Sequence, residues 1–253
     1  MEHSEEEIKK HIEKIDRAIS DKDIISGIHN YCDRWCERCA FTKHCAVFKM
    51  DPRNLEDASD EGEQKLFEEL SLNFAAMAEM LRQMMEEKGI DEAALSEYKK
   101  PEHIESEAEK LTKEYSSKIT DWIAKNKELF RELMVREGME NEAMVLAIDD
   151  AVEVLRWYSF FIYVKTRRAM NVDDEPLWEG ITFEEQYHDN LGTAKLTLIS
   201  IRRSMDALSF LLKYMPEQES EILDMLVLLE KASRLINKRW PTAMNFKRPG
   251  LDE

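Results

Sequence analysis

Glycine and proline are scarce in this chain, at 7 and 6 of 253 residues. These residues most often interrupt regular backbone, so their scarcity beside abundant Glu, Leu, Lys, Met and Ala points to an all-helical protein. No run approaches the roughly 18 apolar residues that a bilayer span requires; the most apolar stretch, Trp157 to Val164, is much shorter. The amino terminus, Met1-Glu-His-Ser-Glu-Glu-Glu, is acidic and has no basic segment followed by an apolar one, so no signal peptide is expected. A soluble, cytoplasmic protein without membrane association is expected. Cysteine is sparse too, with four residues, all between Cys32 and Cys45.

What is present is charge and helical periodicity. The net charge is −17, which disfavours broad nucleic-acid binding. Against that acidic background, Lys231, Arg234, Lys238, Arg239, Lys247 and Arg248 form a basic carboxyl-terminal stretch with no acidic residue among them. With Trp240 and Phe246 interleaved, it is the one segment with the composition of a nucleic-acid tail. Packing against the acidic body is the simpler reading.

Ile8, Ile12, Ile15 and Ile19 mark a short amphipathic helix over residues 4–19. From residue 63 to 88, Leu66, Phe67, Leu70, Phe74, Met77, Leu81 and Met84 recur at three- and four-residue steps, the helical period. Met77, Met80, Met84 and Met85 read as core. A third helix is expected over 101–137 and a fourth over 141–170, apolar on nearly every side from Val152 to Val164 and so placed at the centre of a bundle. Thr182 and Glu185 fit a capping box opening a fifth helix to residue 214, and a sixth follows over 217–237. The expected architecture is an antiparallel helical bundle of about five long helices with a cysteine-rich amino-terminal extension. Its divisions are expected at 1–60 (the extension), 61–238 (the bundle) and 239–253 (an irregular basic tail).

The segment Tyr31-Cys-Asp-Arg-Trp-Cys-Glu-Arg-Cys-Ala-Phe-Thr-Lys-His-Cys places Cys32, Cys36, Cys39 and Cys45 at the spacing Cys-x3-Cys-x2-Cys-x5-Cys. Four soft ligands so close together suit zinc or an iron–sulfur cluster. In a reducing compartment clustered thiols are ligands more often than disulfides. If the segment is helical, the first three share one face, with Cβ atoms about 5–6 Å apart. Zinc draws its sulfurs to roughly 3.8 Å of one another, whereas a cluster spreads them more widely, so that face favours the cluster. Arg34, Arg38, Lys43 and His44 add positive charge that stabilises thiolates. His44 is a further candidate ligand.

Cys36-x2-Cys39-x5-Cys45 resembles the cluster loop of the helix-hairpin-helix DNA glycosylases related to endonuclease III, which implies a [4Fe–4S] site. The match spans ten residues and departs at the first spacing, three intervening residues here against six there. No glycine-rich hairpin accompanies it, so the glycosylase activity does not carry over. Cys32-x3-Cys36-x2-Cys39 is similar to the spacing of radical S-adenosylmethionine enzymes, whose strand–helix barrel this helical chain cannot build. The whole segment also resembles one found in uncharacterised bacterial helical proteins, a likeness that implies no activity.

A second constellation lies on the two most apolar helices. Asp149, Asp150, Glu153 and Arg156 stand on the fourth helix, and Glu185, His188, Asp189, Gly192, Thr193 and Lys195 on the fifth. Glu185-x-x-His188 has the spacing of one half of a di-iron site, without a second copy. Were the two sets to face one another, Asp149, Glu153, Glu185, His188 and Asp189 would be ligands for a hard metal. Three functions therefore compete: an iron–sulfur protein that transfers electrons, senses redox state or uses the cluster structurally, with a protein or redox partner; a zinc-stabilised interaction protein; and a metal-dependent enzyme using the carboxylate/His set.

Overall fold

A computed structural model describes residues 3–51, 60–89, 103–138, 141–170 and 183–252. Among them the regular structure is entirely helical. The chain divides into two compact units, Met1–Glu102 with Pro249–Glu253, and His103–Arg248. The helix expected in the bundle from residue 63 thus belongs with the amino-terminal segment, as do the last residues of the chain.

In the first unit, α1 (Glu5–Ile19) begins where Ser4 and Glu7 form a reciprocal cap, the Ser4 hydroxyl accepting from Glu7 N–H at 3.3 Å and the Glu7 carboxylate from Ser4 N–H at 2.8 Å. Its isoleucine face is only half-buried, and Ile19 is exposed. α1 packs on α3 (Asp60–Lys88), where buried His11 donates from Nε2 to Asn73 Oδ1 at 2.8 Å. That bond fixes the contact, because an imidazole left unpartnered there would lose its hydration without compensation. Between these helices run three single turns, Ile28–Asn30, Cys36–Arg38 and Thr42–His44, and the short α2 (Ala46–Met50). Phe67, Leu70, Phe74, Met77, Met80, Leu81 and Met84 of α3 are exposed, which corrects the reading of its methionines as core. Periodicity marks an apolar face; it does not say what covers that face.

The second unit is a bundle of α4 (Glu107–Lys125), α5 (Lys127–Gly138), α6 (Glu142–Met170), α7 (Phe183–Leu212) and α8 (Glu219–Arg239). One expected helix over 101–137 is two, because Asn126 caps α4, its Nδ2 donating to Trp122 O at 2.9 Å. Ser106 and Glu109 form the cap that opens α4, and the buried Glu109 carboxylate also bonds His103 at 2.9 Å. α6 packs on α4, α5 and α7. Its Ile148, Leu155, Tyr158 and Ile162 are fully buried, but Phe160 and Val164 are exposed, so it is not enclosed on every side. Along α7, Asn190, Thr193, Thr197, Ser200 and Ser204 are buried. The Thr197 and Ser200 hydroxyls donate to the carbonyls four residues back. Small side chains of this kind let neighbouring helices approach closely. The carboxyl-terminal stretch is docked rather than loose: Trp240 is buried with Nε1 donating to Ala169 O at 2.8 Å, and Lys195 donates to Phe246 O at 2.6 Å. A buried Trp240 is no stacking platform for a nucleic acid.

Candidate functional site

The four cysteines come together. Cys32, Cys36, Cys39 and Cys45 are half-buried, none is in a disulfide, and all line one cavity of about 30 Å³. The backbone that achieves this is not the α-helix that would have put three of them on a single face. Gly27, at φ +73, opens the first turn, and Arg34 takes φ +60. Asp33 Oδ1 accepts from Trp35 N–H at 3.2 Å, closing a local turn that competes with helix. Arg34 is the one non-glycine with positive φ among the described residues. Such a conformation costs about 1–2 kcal/mol in an L-residue and persists where its surroundings demand it.

The main-chain N–H of Phe41 donates to Cys39 Sγ at 3.4 Å, and the Cys32 thiol donates to His29 O at 3.6 Å. The Phe41 donor stands two residues after its cysteine. An amide aimed at sulfur favours the thiolate, the form that ligates metals. Cys39 N–H donates to Cys36 O at 3.1 Å and Cys45 N–H to Thr42 O at 3.3 Å, which sets the turns carrying the other two.

Electrostatics works the other way. Burial pushes the Cys32 thiol above its ordinary value, against the favourable Arg34 amide and charge. Burial, and then the nearby Cys32 and Cys45, push up Cys36. The thiolate forms of Cys32 and Cys36 at this apolar cavity are thus disfavoured unless a cation offsets them. Among the described residues, no three His, Cys, Asp or Glu side chains stand in an arrangement suited to a single metal ion.

The surroundings were only partly legible. His44, the candidate extra ligand, donates from Nδ1 to Asp23 O at 2.7 Å and does not line the cavity. His29 lines it instead, its pKa lowered by burial and by Arg34. Its place three residues before Cys32 was the available signal. Arg38 stacks over Trp35 at 3.8 Å. Ile28, Val47, Phe48 and Leu251 supply apolar wall. Leu251 arrives from the far end of the sequence, after Gly250, whose φ is +68 and where a Cβ would stand 2.9 Å from Ile25 Cδ1. No local pattern announces such a contact.

The carboxylate/His set does not assemble. Asp149, Asp150 and Glu153 are exposed near the start of α6. Asp189, near the start of α7, pairs with Arg168 near the end of α6 at 2.7 Å. The two helices therefore run antiparallel, and Asp149 is separated from that pair by about 28 Å of helix, at 1.5 Å per residue. His188 is exposed, its ring 6.2 Å from that of Phe246. Glu185 lies in α7 with its side chain not among those described, and Thr182 of the expected cap lies outside the described residues. An expectation that the two sets face one another is thus corrected by chain direction.

Among the described residues no helix is long and apolar enough to cross a membrane. No protein-family model matches the chain, and no curated protein or solved structure is significantly similar to it.

Proposed function

We propose that Cys32, Cys36, Cys39 and Cys45 jointly hold a [4Fe–4S] cluster, that the first unit folds around it, and that its partner is a redox protein. The carrying observation is that all four thiols, none in a disulfide, line a common cavity. Four thiolates are a complete donor set for a cluster as for zinc, and the Cys36-x2-Cys39-x5-Cys45 spacing, which resembles a known cluster loop, favours the cluster. Bound there, the cluster supplies one-electron redox chemistry. The chain's own contribution is to prepare the ligands. The Phe41 amide donates to Cys39, the Arg34 charge favours the Cys32 thiolate, and Ile28, Val47, Phe48 and Leu251 limit water at the sulfurs.

The folding role rests on a shortage of core. Among the described residues of the first unit, only Ile28, Ala46 and Ala76 are buried apolar side chains. Ligand binding coupled to folding replaces what such a unit lacks in apolar burial. Replacing Cys36 with Ser tests both parts. The variant is expected to lose iron and visible colour, and amides of the first unit to exchange rapidly while those of α6 and α7 stay protected. A variant that keeps full iron, or a wild type carrying a single zinc, contradicts the reading.

A further inference from the structure

Independently of the cysteine site, α3 carries a second feature that calls for a partner. Phe67, Leu70, Phe74, Met77, Leu81 and Met84 alternate steps of three and four residues, a 3.5-residue period, and are 62%, 37%, 70%, 57%, 52% and 40% exposed. α1 covers a different face of the helix, the one bearing Glu69, Asn73 and Ala76. A 3.5-residue apolar seam is the pattern with which two helices wind around each other.

We propose that this seam pairs with the same seam of a second copy of the chain, in antiparallel orientation. The seam matches its own reverse about a midpoint between Ala75 and Ala76. Antiparallel pairing at that midpoint sets Phe67 against Met84, Phe74 against Met77 and Leu70 against Leu81 of the other copy. Each bulky phenyl thus meets a flexible thioether, a favourable contact, and no Phe faces Phe. The match is isologous, so two copies close on each other and no open face remains. The positions flanking the seam, Leu66, Ser71, Asn73, Ala78, Met80 and Met85, are uncharged, and Glu87 falls opposite Gln64, so a chain of net charge −17 brings no like charges together there. At about 200 Å² for a large side chain, the exposed fractions amount to roughly 600 Å² per chain. On the order of 1,200 Å² for the pair reaches the lower bound of a standard specific interface.

Sedimentation of the full-length protein over a concentration series tests the pairing. Wild type is expected at twice the 29.8 kDa chain mass. Phe74→Glu, which buries two carboxylates in the seam, is expected to weaken association about 100-fold or more with helical circular dichroism unchanged. Leu70→Glu and Leu81→Lys are each expected to be monomeric, and the double variant L70E/L81K to dimerise again, since antiparallel pairing sets each Glu opposite a Lys. A wild type that stays at 29.8 kDa up to about 100 µM overturns the proposal and leaves the seam to a different helical partner. A Phe74→Glu protein that remains dimeric overturns it too, by placing the interface elsewhere. A double variant that stays monomeric beside a dimeric wild type overturns the antiparallel orientation.

Discussion

The two units of this chain solve the problem of holding helices together by different means. In the second, Tyr115, Ile119, Ile148, Leu155, Tyr158, Ile162, Leu208, Leu211, Ile222, Leu229 and Ile236 are fully or almost fully buried. At about 1.5–3 kcal/mol for each large apolar side chain removed from water, apolar burial is the main favourable contribution to its folding. The first has Ile28 and two alanines in that class among its described residues, a row of exposed Phe, Leu and Met, and four thiols around one cavity. A segment with little core needs a cross-link, a metal or a partner. The first unit carries groups suited to two of these, thiols for a metal and a seam for a partner. On the function proposed above, the contrast is between stability from apolar burial and stability from binding.

The largest effect that sharpens this contrast is on the buried side. Leu155→Ala is expected to destabilise the second unit by about 2–5 kcal/mol, the cost of a cavity in a packed core, with the iron content of the protein unchanged. Differential scanning calorimetry with iron analysis on the same sample checks it. Loss of iron in this variant would show that the two units do not draw on separate sources of stability.

A smaller effect is expected at Gly250. The left-handed φ of +68, with Ile25 Cδ1 and Cγ2 both 2.9 Å from where a Cβ would stand, makes Gly250→Ala costly by about 1–2 kcal/mol from the backbone alone. Faster amide exchange is expected at Ile25 and Ile28, with none at Leu155. Unchanged exchange at Ile25 would remove the carboxyl-terminal residues from the list of what holds the cysteine segment in place.

The smallest effect is electrostatic. The Asp23 amide and the Lys49 ammonium, 2.9 Å away, hold the Asp21 carboxyl below its usual range and tie α2 to the end of α1. A carboxylate whose pKa is lower in the folded chain stabilises it above the unfolded pKa of about 3.9, and that contribution disappears as pH falls through the folded value. Asp21→Asn is therefore expected to lower the first unit's melting temperature slightly at pH 7, with the two proteins converging in acid. A gap that persists or widens in acid would assign the effect to something other than this charge.

Much of this architecture can be read from the residues, and the parts that cannot have physical reasons. Apolar periodicity located α1, α3 and α6 to within a few residues, since a helix repeats its buried face every 3.6 positions. The break at Asn126 escaped because the apolar pattern on either side continues across it, while the side-chain bond to Trp122 O that ends α4 leaves no trace in periodicity. The burial of α3 was misjudged because an apolar stripe looks the same whether it faces a core or a second molecule. At the site, the clustering of Cys32, Cys36, Cys39 and Cys45 was plain from spacing. The left-handed Arg34 was not, because an arginine carries no local preference for positive φ. The separation of Asp149 from His188 depends on chain direction, which no short motif encodes.

The central claim is that the four thiols hold a cluster. Its most direct test is the visible spectrum of anaerobically purified full-length protein, with iron, acid-labile sulfide and zinc quantified in the same sample. A brown protein with a broad band near ~400 nm and about four irons and four sulfides per chain is the predicted result. A colourless protein with one zinc per chain, or with no metal at all, would contradict it.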